Sequence, residues 1–169
     1  MSTNPILTSR LVLKPLEKSD DENLYGLHSD PEVMKFIREP DSDIFQTKKR
    51  IKEILNYSSQ NNGFGLWTAF EKESNKFIGW GVLVHIDHNL MNPVEVGFRL
   101  HQKSWRKGYA HEIGSALLDY AKSIDLESVC GITIDDNLAS QKTLEKCGMQ
   151  FIENRKYYNQ QVLYYEKKL

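Results

Sequence analysis

Cysteine, proline and net charge are all scarce in this chain, with two cysteines, five prolines and a formal charge of −1 over 169 residues. Each scarcity removes a class of function. Cys130 and Cys147 are too few for a disulfide framework, and the histidines at 28, 85, 88, 101 and 111 show no His-x3-His pairing, so no metal is expected. Twenty-two basic against 23 acidic residues argue against a broad nucleic-acid or anionic-membrane footprint. Any anion site must be local. No run of eighteen apolar residues occurs, so no membrane-spanning helix is expected, and Met1-Ser-Thr-Asn-Pro5 lacks the basic and apolar blocks of a secretory leader. The cytoplasm is the expected compartment.

What remains is an ordinary globular composition, 40% hydrophobic and 27% charged. At this length about 65 to 70% of the unfolded surface can be buried, and the absence of repeats, linkers and low-complexity tracts predicts one domain over 1–169. Arg10 to Leu16 reads as a strand closed by Pro15, Ser19 to Glu22 as the cap and acidic first turn of a helix to about His28, and Pro31 as the start of a short one. Gln46 to Tyr57 is helical. Three strands follow at Gly65–Phe70, Lys76–His85 and Pro93–Leu100, separated by turn residues and forming an antiparallel meander. In the third, Val94, Val96, Phe98 and Leu100 share one face and Glu95, Gly97 and Arg99 the other. Ile113, Ala116, Leu117, Tyr120, Ala121 and Ile124 then recur at helical spacing from Gly108 to about Asp125. Val129 to Ile134 reads as a buried strand, Asn137 caps a helix to Lys146, Gly148 ends it, and a tyrosine-rich hairpin turns near Asn159-Gln160-Gln161.

Ser104-Trp-Arg-Lys-Gly-Tyr-Ala-His-Glu112 carries the chemistry. It leaves a strand, passes two cations and a glycine, and opens the longest apolar helix pattern, where unpaired backbone N–H groups and the helix dipole favour an anion. Gly108 brings no side chain to obstruct it. Glu95 is a candidate base beside Gly97, or a solvated carboxylate paired with Arg99 or a neighbour. Asn137 and Ser140 lie on one side of a helix start, where capping alone explains the asparagine. Cys147 has no histidine near it in sequence, so an acyl-enzyme nucleophile is not expected there. Between residues 28 and 45, Glu39, Asp41 and Asp43 beside Met34 and Phe36 form either a groove favouring a cationic amine or a solvated acidic loop. Tyr157, Tyr158, Tyr164 and Tyr165 are groove walls or sheet packing.

The order strand carboxylate, basic glycine corner, long helix, strand, Asn-x-x-Ser helix resembles the GCN5-related N-acetyltransferases (GNAT), in particular the branch that includes ribosomal-protein N-terminal acetyltransferases. Thr8 to Leu16, Asp30-Pro-Glu-Val-Met34, Glu95-Val-Gly97, Trp105 to Ala110 and Asn137 to Ser140 fall in that family's order across nearly the whole chain. The resemblance implies an α+β (α/β) fold, a mixed, largely antiparallel twisted sheet of about six to seven strands flanked by about four to five helices. It further implies acetyl-coenzyme A as co-substrate. Its pyrophosphate would lie on Arg106, Lys107, Gly108, Tyr109, Ala110 and His111, largely through backbone N–H groups, with Phe98, Arg99, Leu100 and Asn137 along the pantetheine. Glu95 would be the base and Ser140 would assist thiolate departure, because Leu144 stands where many relatives carry a tyrosine acid. Trp105 departs from the Gln or Arg that usually opens the corner. The implied reaction is direct attack by an amine, on a protein N-terminus or a small molecule, in a ternary complex. A non-catalytic acyl-coenzyme A sensor of the same fold is the alternative, and a homodimer stays open.

Overall fold

Apolar residues on both faces of one strand predict burial from two sides, and Gly-Leu-Trp-Thr-Ala is such a segment, with Leu66, Trp67, Thr68 and Ala69 all buried. In the computed structural model, which describes residues 4–169, this segment is the interior strand of an eight-stranded sheet. The described elements are β1 (Ile6–Leu7), β2 (Leu11–Pro15), α1 (Asp21–His28), α2 (Pro31–Met34), α3 (Ile44–Gln60), β3 (Gly65–Glu71), β4 (Phe77–His85), β5 (Val94–Leu100), α4 (Tyr109–Ser123), β6 (Ser128–Thr133), α5 (Leu138–Lys146), β7 (Gln150–Tyr157) and β8 (Gln160–Lys168). The strand order is β1-β2-β3-β4-β5-β6-β8-β7. Every pairing is antiparallel except β5 with β6.

Helices cover both faces. On one, Ile113, Leu117 and Ala121 of α4 and Leu144 of α5 pack on Leu11, Leu13, Trp67, Leu83 and Val96, where burying each large aliphatic side chain contributes about 1.5–3 kcal/mol. On the other, Leu24 and Leu27 of α1 and Ile51 of α3 close over Leu16, Leu66 and Trp80. Local signals start the helices where the chain supplies an oxygen. Asp30 Oδ1 accepts from Glu32 N ahead of Pro31, Asp43 Oδ1 from Gln46 N at 3.1 Å, and Asn137 Oδ1 from Ser140 N at 3.2 Å.

The strand count exceeds the six to seven expected, with β1, only two residues long, among those beyond the sequence reading. The terminal hairpin turns at Tyr158 and Asn159, both at positive φ, one residue earlier than the asparagine and glutamines suggested. That two-residue loop has the backbone of a type I′ turn, normally given to Asn-Gly. A tyrosine in its first central position is an unusual choice.

The sheet parts in its middle. β5 keeps a full register with β4 from Val94 to Leu100 but meets β6 at one register pair, Glu95 with Cys130. Beyond it the strands diverge toward their C-terminal ends, where α4 and α5 begin. The first β5 face stays in register on β4 through Gly79, which sits at φ +151 where an added Cβ would fall 2.1 Å from the Arg99 carbonyl oxygen. Backbone cannot yield as a flexible side chain can. Gly79→Ala is expected to destabilise the protein by about 3 kcal/mol or more, summing strain and displaced β5 backbone, and urea unfolding measures it; a loss under about 1 kcal/mol would show that β5 is free to shift.

Candidate active site

The corner between β5 and α4 combines exposed cations with an unused helix end. Arg106 sits at φ 60 and Gly108 at φ 81, a backbone twist that turns successive N–H groups to one side. Unlike α3 and α5, α4 has no side-chain cap among the described residues. Its first-turn donors are left for a ligand. The corner is braced from behind by Glu112 and residues 8–10, a long-range contact with no local signal in the sequence. Glu112 accepts from Thr8 Oγ1 at 2.5 Å, Ser9 Oγ at 3.0 Å, Arg10 N at 2.8 Å and Arg10 Nε at 2.7 Å, while Arg10 Nη1 donates to the Lys107 carbonyl at 2.9 Å. Burial pushes the Glu112 carboxyl up, but these bonds hold it below the usual range. Tyr109 turns away, its hydroxyl donating to Glu71 Oε1 at 2.5 Å under the Arg10 guanidinium, so only its backbone faces the corner. The Trp105 indole N–H donates to the Leu100 carbonyl at 2.8 Å. That side chain locks the strand end, its only donor being engaged there.

Glu95 stands where the strands begin to part. It is half-buried, and burial raises its carboxyl to about 7, against smaller lowering effects from the Tyr158 hydroxyl and Arg99. It makes no ion pair with Arg99; the neighbour it meets is a tyrosine hydroxyl. The Tyr158 hydroxyl lies 3.5 Å from Glu95 Oε2 and accepts from Asp87 N at 3.3 Å. The tight turn at the left-handed Tyr158 brings its hydroxyl to the carboxyl. Gly97 leaves no room for a side chain beside the carboxyl, since an added Cβ there would meet Val82 Cγ1 at 3.1 Å and Glu95 Oε1 at 3.6 Å.

Of the acids in the loop after α2, Asp41 is withdrawn from solvent while Glu39 and Asp43 are exposed. Asp41 is buried and accepts from Arg38 Nη1 at 2.6 Å, Arg50 Nη2 at 2.7 Å and Thr47 Oγ1 at 2.6 Å. Burial raises its carboxyl, and the bonds from Thr47, Arg38 and Arg50 more than reverse that. Asp43 caps α3. Of the three acids read as a groove, two are therefore engaged within the protein. Next to them the Trp80 indole donates to His28 Nε2 at 3.1 Å, so that nitrogen is unprotonated and the ring is neutral. Burial first, then Arg99 and Arg38, lower His28 to about 3.

Across the parting, α5 begins with Asn137, whose oxygen is occupied by the cap to Ser140 N, and with Ser140, partly exposed. Leu144 is buried against Gly131 and offers no donor. Cys147 does have a histidine close by in space: His111 Nδ1 is 3.5 Å from its sulfur, reached across two helices. Burial nonetheless raises the thiol, so it stays protonated and inert. Phe98 faces α4, where a Cβ on Gly114 would come 3.5 Å from its ring.

Residues 10–150 match the acetyltransferase (GNAT) domain. The chain belongs to the GNAT acetyltransferase family. An N-acetyltransferase of Bacillus subtilis, YjdG, is 39% identical over 121 residues, covering 69% of this chain and 68% of that one. The FsC-acetyl coenzyme A-N(2)-transacetylase of Aspergillus fumigatus is 33% identical over 159 residues, covering 86% of this chain and 65% of the relative. A solved ribosomal L7/L12 alpha-N-protein acetyltransferase, RimL, in complex with coenzyme A, superposes with a TM-score of 0.82 at 16% identity, covering 98% of each chain. This GNAT chain is thus an acyltransferase, and its family uses acetyl-coenzyme A. No helix among the described residues is long and apolar enough to cross a membrane.

The neutral His28 of this GNAT fold gives a stability signature. Its ordinary value of 6.5 falls to about 3 in the folded state, so the unfolded chain binds a proton that the native one refuses, and stability is full above 6.5 and lost as pH falls toward 3. Between pH 8 and 5 this amounts to about 2 kcal/mol. Denaturant titrations across that range should show His28→Leu losing correspondingly less stability on acidification than the parent; parallel curves would mean that His28 is not buried neutral.

Proposed function

We propose that the chain moves an acetyl group from acetyl-coenzyme A to a primary amine by direct attack in a ternary complex. The observation that carries this reading is the Glu95 carboxyl, raised to about 7 by burial at the point where β5 leaves β6. An alkyl ammonium near pKa 10 or an N-terminal ammonium near 8 must lose a proton before it attacks, and a base poised near neutrality suits that task. The amine nitrogen bonds to the thioester carbonyl carbon, its proton passes to Glu95 directly or through a water, and the C–S bond breaks. The departing thiolate takes a proton from Ser140 or from water, since Leu144 has none to give.

The co-substrate fits the residues present. The uncapped α4 start and the twisted backbone of Arg106, Lys107 and Gly108 suit a pyrophosphate, with Tyr109, Ala110 and His111 contributing backbone N–H groups. The free edge of β5 at Phe98 and Arg99 suits an extended pantetheine amide chain pairing as an added strand, and the Asn137 amide group is available at the opposite wall. At Leu100 the carbonyl already accepts from Trp105, which ends that pairing at the corner. RimL bears a name that includes protein N-terminal acetylation, which supports an α-amine among the acceptors.

Two measurements test the assignment. Because Glu95 must be unprotonated to act, kcat/KM should rise through about pH 7, and Glu95→Gln should lower it at least about 100-fold and remove that inflection; unchanged turnover and pH profile would overturn the role. For the corner, calorimetry should find coenzyme A binding weakened about 10-fold or more by Gly108→Val, because a β-branched residue disfavours φ 81. Arg106→Ala should cost about 3-fold or less. Equal losses would assign the phosphate to the cations rather than the backbone.

A further inference from the structure

The β5 face that carries Glu95 also carries Arg99, whose charged neighbours are Arg38 and Arg50 against Glu95 and Asp41. Its guanidinium carbon lies 4.7 Å over the Trp80 ring, and Nη1 donates to the Met34 thioether at 3.3 Å, a weak acceptor. Its Nε is buried with no acceptor among the described residues. Arg38 and Arg50 both converge on Asp41, whose other oxygen accepts from Thr47. His28, facing the same space, is neutral because Trp80 donates to its Nε2. Two guanidinium groups therefore engage the one buried aspartate, and Arg99 has no carboxylate in direct contact among the described residues. Burial and repulsion from Arg38 lower Arg99 to about 9, against opposing pulls from Glu95 and Asp41.

A guanidinium withdrawn from water without a carboxylate is costly, and an anion from outside would relieve it. Arg99 is half-buried rather than sealed. Strand alternation sets it and Glu95 on one face with Gly97 between, about 13 Å apart along the backbone at about 3.3 Å per residue. One molecule of modest length can reach both.

We infer that the acceptor is an amine that also bears a carboxylate or phosphate group, which the Arg99 guanidinium binds through paired N–H donors while the amine faces Glu95. The planar fork of arginine matches such oxyanions. Arg38 and Arg50 add field rather than contact, since Asp41 engages them. This rests on the acetyltransferase reading with Glu95 at the amine. It also replaces the expectation of an acidic groove for a purely cationic amine: the wall nearest the strand carries a guanidinium.

The test compares matched acceptors that differ only in charge: small amines carrying a carboxylate or phosphate against their neutral amides or alcohols, and peptides with Glu against Gln beside a free N-terminus. The two sets separate a small-molecule from a peptide source. The anionic member of at least one set should be favoured about 10- to 100-fold in kcat/KM. Arg99→Gln should bring that ratio toward one through KM, with Arg99→Lys intermediate. Equal rates for charged and neutral partners in both sets, with acetylation proceeding, would overturn the inference and leave the acetyltransferase reading standing. A readout independent of turnover guards against an incomplete panel. With the protein saturated by coenzyme A to fill the phosphate corner, inorganic phosphate or acetate should raise the melting midpoint of the parent and not of Arg99→Gln. No rise with either anion, or an equal rise in the variant, would also overturn it; a rise lost in the variant supports it even where no panel amine is acetylated, in which case only the acetyltransfer reading fails.

Discussion

Backbone N–H and C=O groups in the middle of a sheet must be paired, and the strands β5 and β6 meet at one register pair before they diverge. Much of the rest follows from that parting. Parallel strands need a crossover between them, and here it is α4, which must start at the C-terminal end of β5; α5 likewise starts beyond the end of β6. Two helix N-termini thus gather at the mouth of an opening lined by unpaired strand edges. In an open α/β sheet such a place, outside the carboxyl ends of diverging strands, is where ligands bind. Trp105, donating to the Leu100 carbonyl, and Glu112, gathering four donors from residues 8 to 10, hold the corner in place.

The same parting sets the chemistry of Glu95. A strand carboxylate on a fully paired, solvated surface would keep an ordinary acidity. Here burial at the parting of the strands raises it toward neutrality, against a smaller lowering by the Tyr158 hydroxyl that reaches it from the β7–β8 hairpin. The tyrosine reaches that position only because the hairpin accepts a left-handed residue at Tyr158. Strain in a turn is exchanged for a placed hydroxyl, which is the usual direction of such outliers.

Periodicity and capping made most of the fold legible in the sequence. The Val94 to Leu100 alternation placed Glu95 on the correct face, the helical spacing from Ile113 found α4, and Asn137 and Gly148 bracket α5 as expected. What escaped were features with no local signal. β1 is too short for any period. Tyr158 is not a turn former, so the hairpin was read one residue late. His111 lies 36 residues from Cys147, and only the packing of α4 on α5 brings them to 3.5 Å.

The acidic loop was the instructive misreading, because composition gives charge and not direction. Asp41 looked like part of a negative surface, yet its lone pairs are consumed by Arg38, Arg50 and Thr47, so it neutralises cations instead of displaying a charge. Counting sequence charges between residues 28 and 45 therefore overstates the negative charge that the loop displays. Arg99, on a separate element and stacked on Trp80, adds a cation that the count leaves out, and His28 adds none because the Trp80 indole occupies its Nε2. One aromatic residue of β4 thereby holds both groups. It orients the arginine by its face and fixes the histidine tautomer by its edge, so the electrostatics of the acceptor side depend on the packing of a single tryptophan in the sheet.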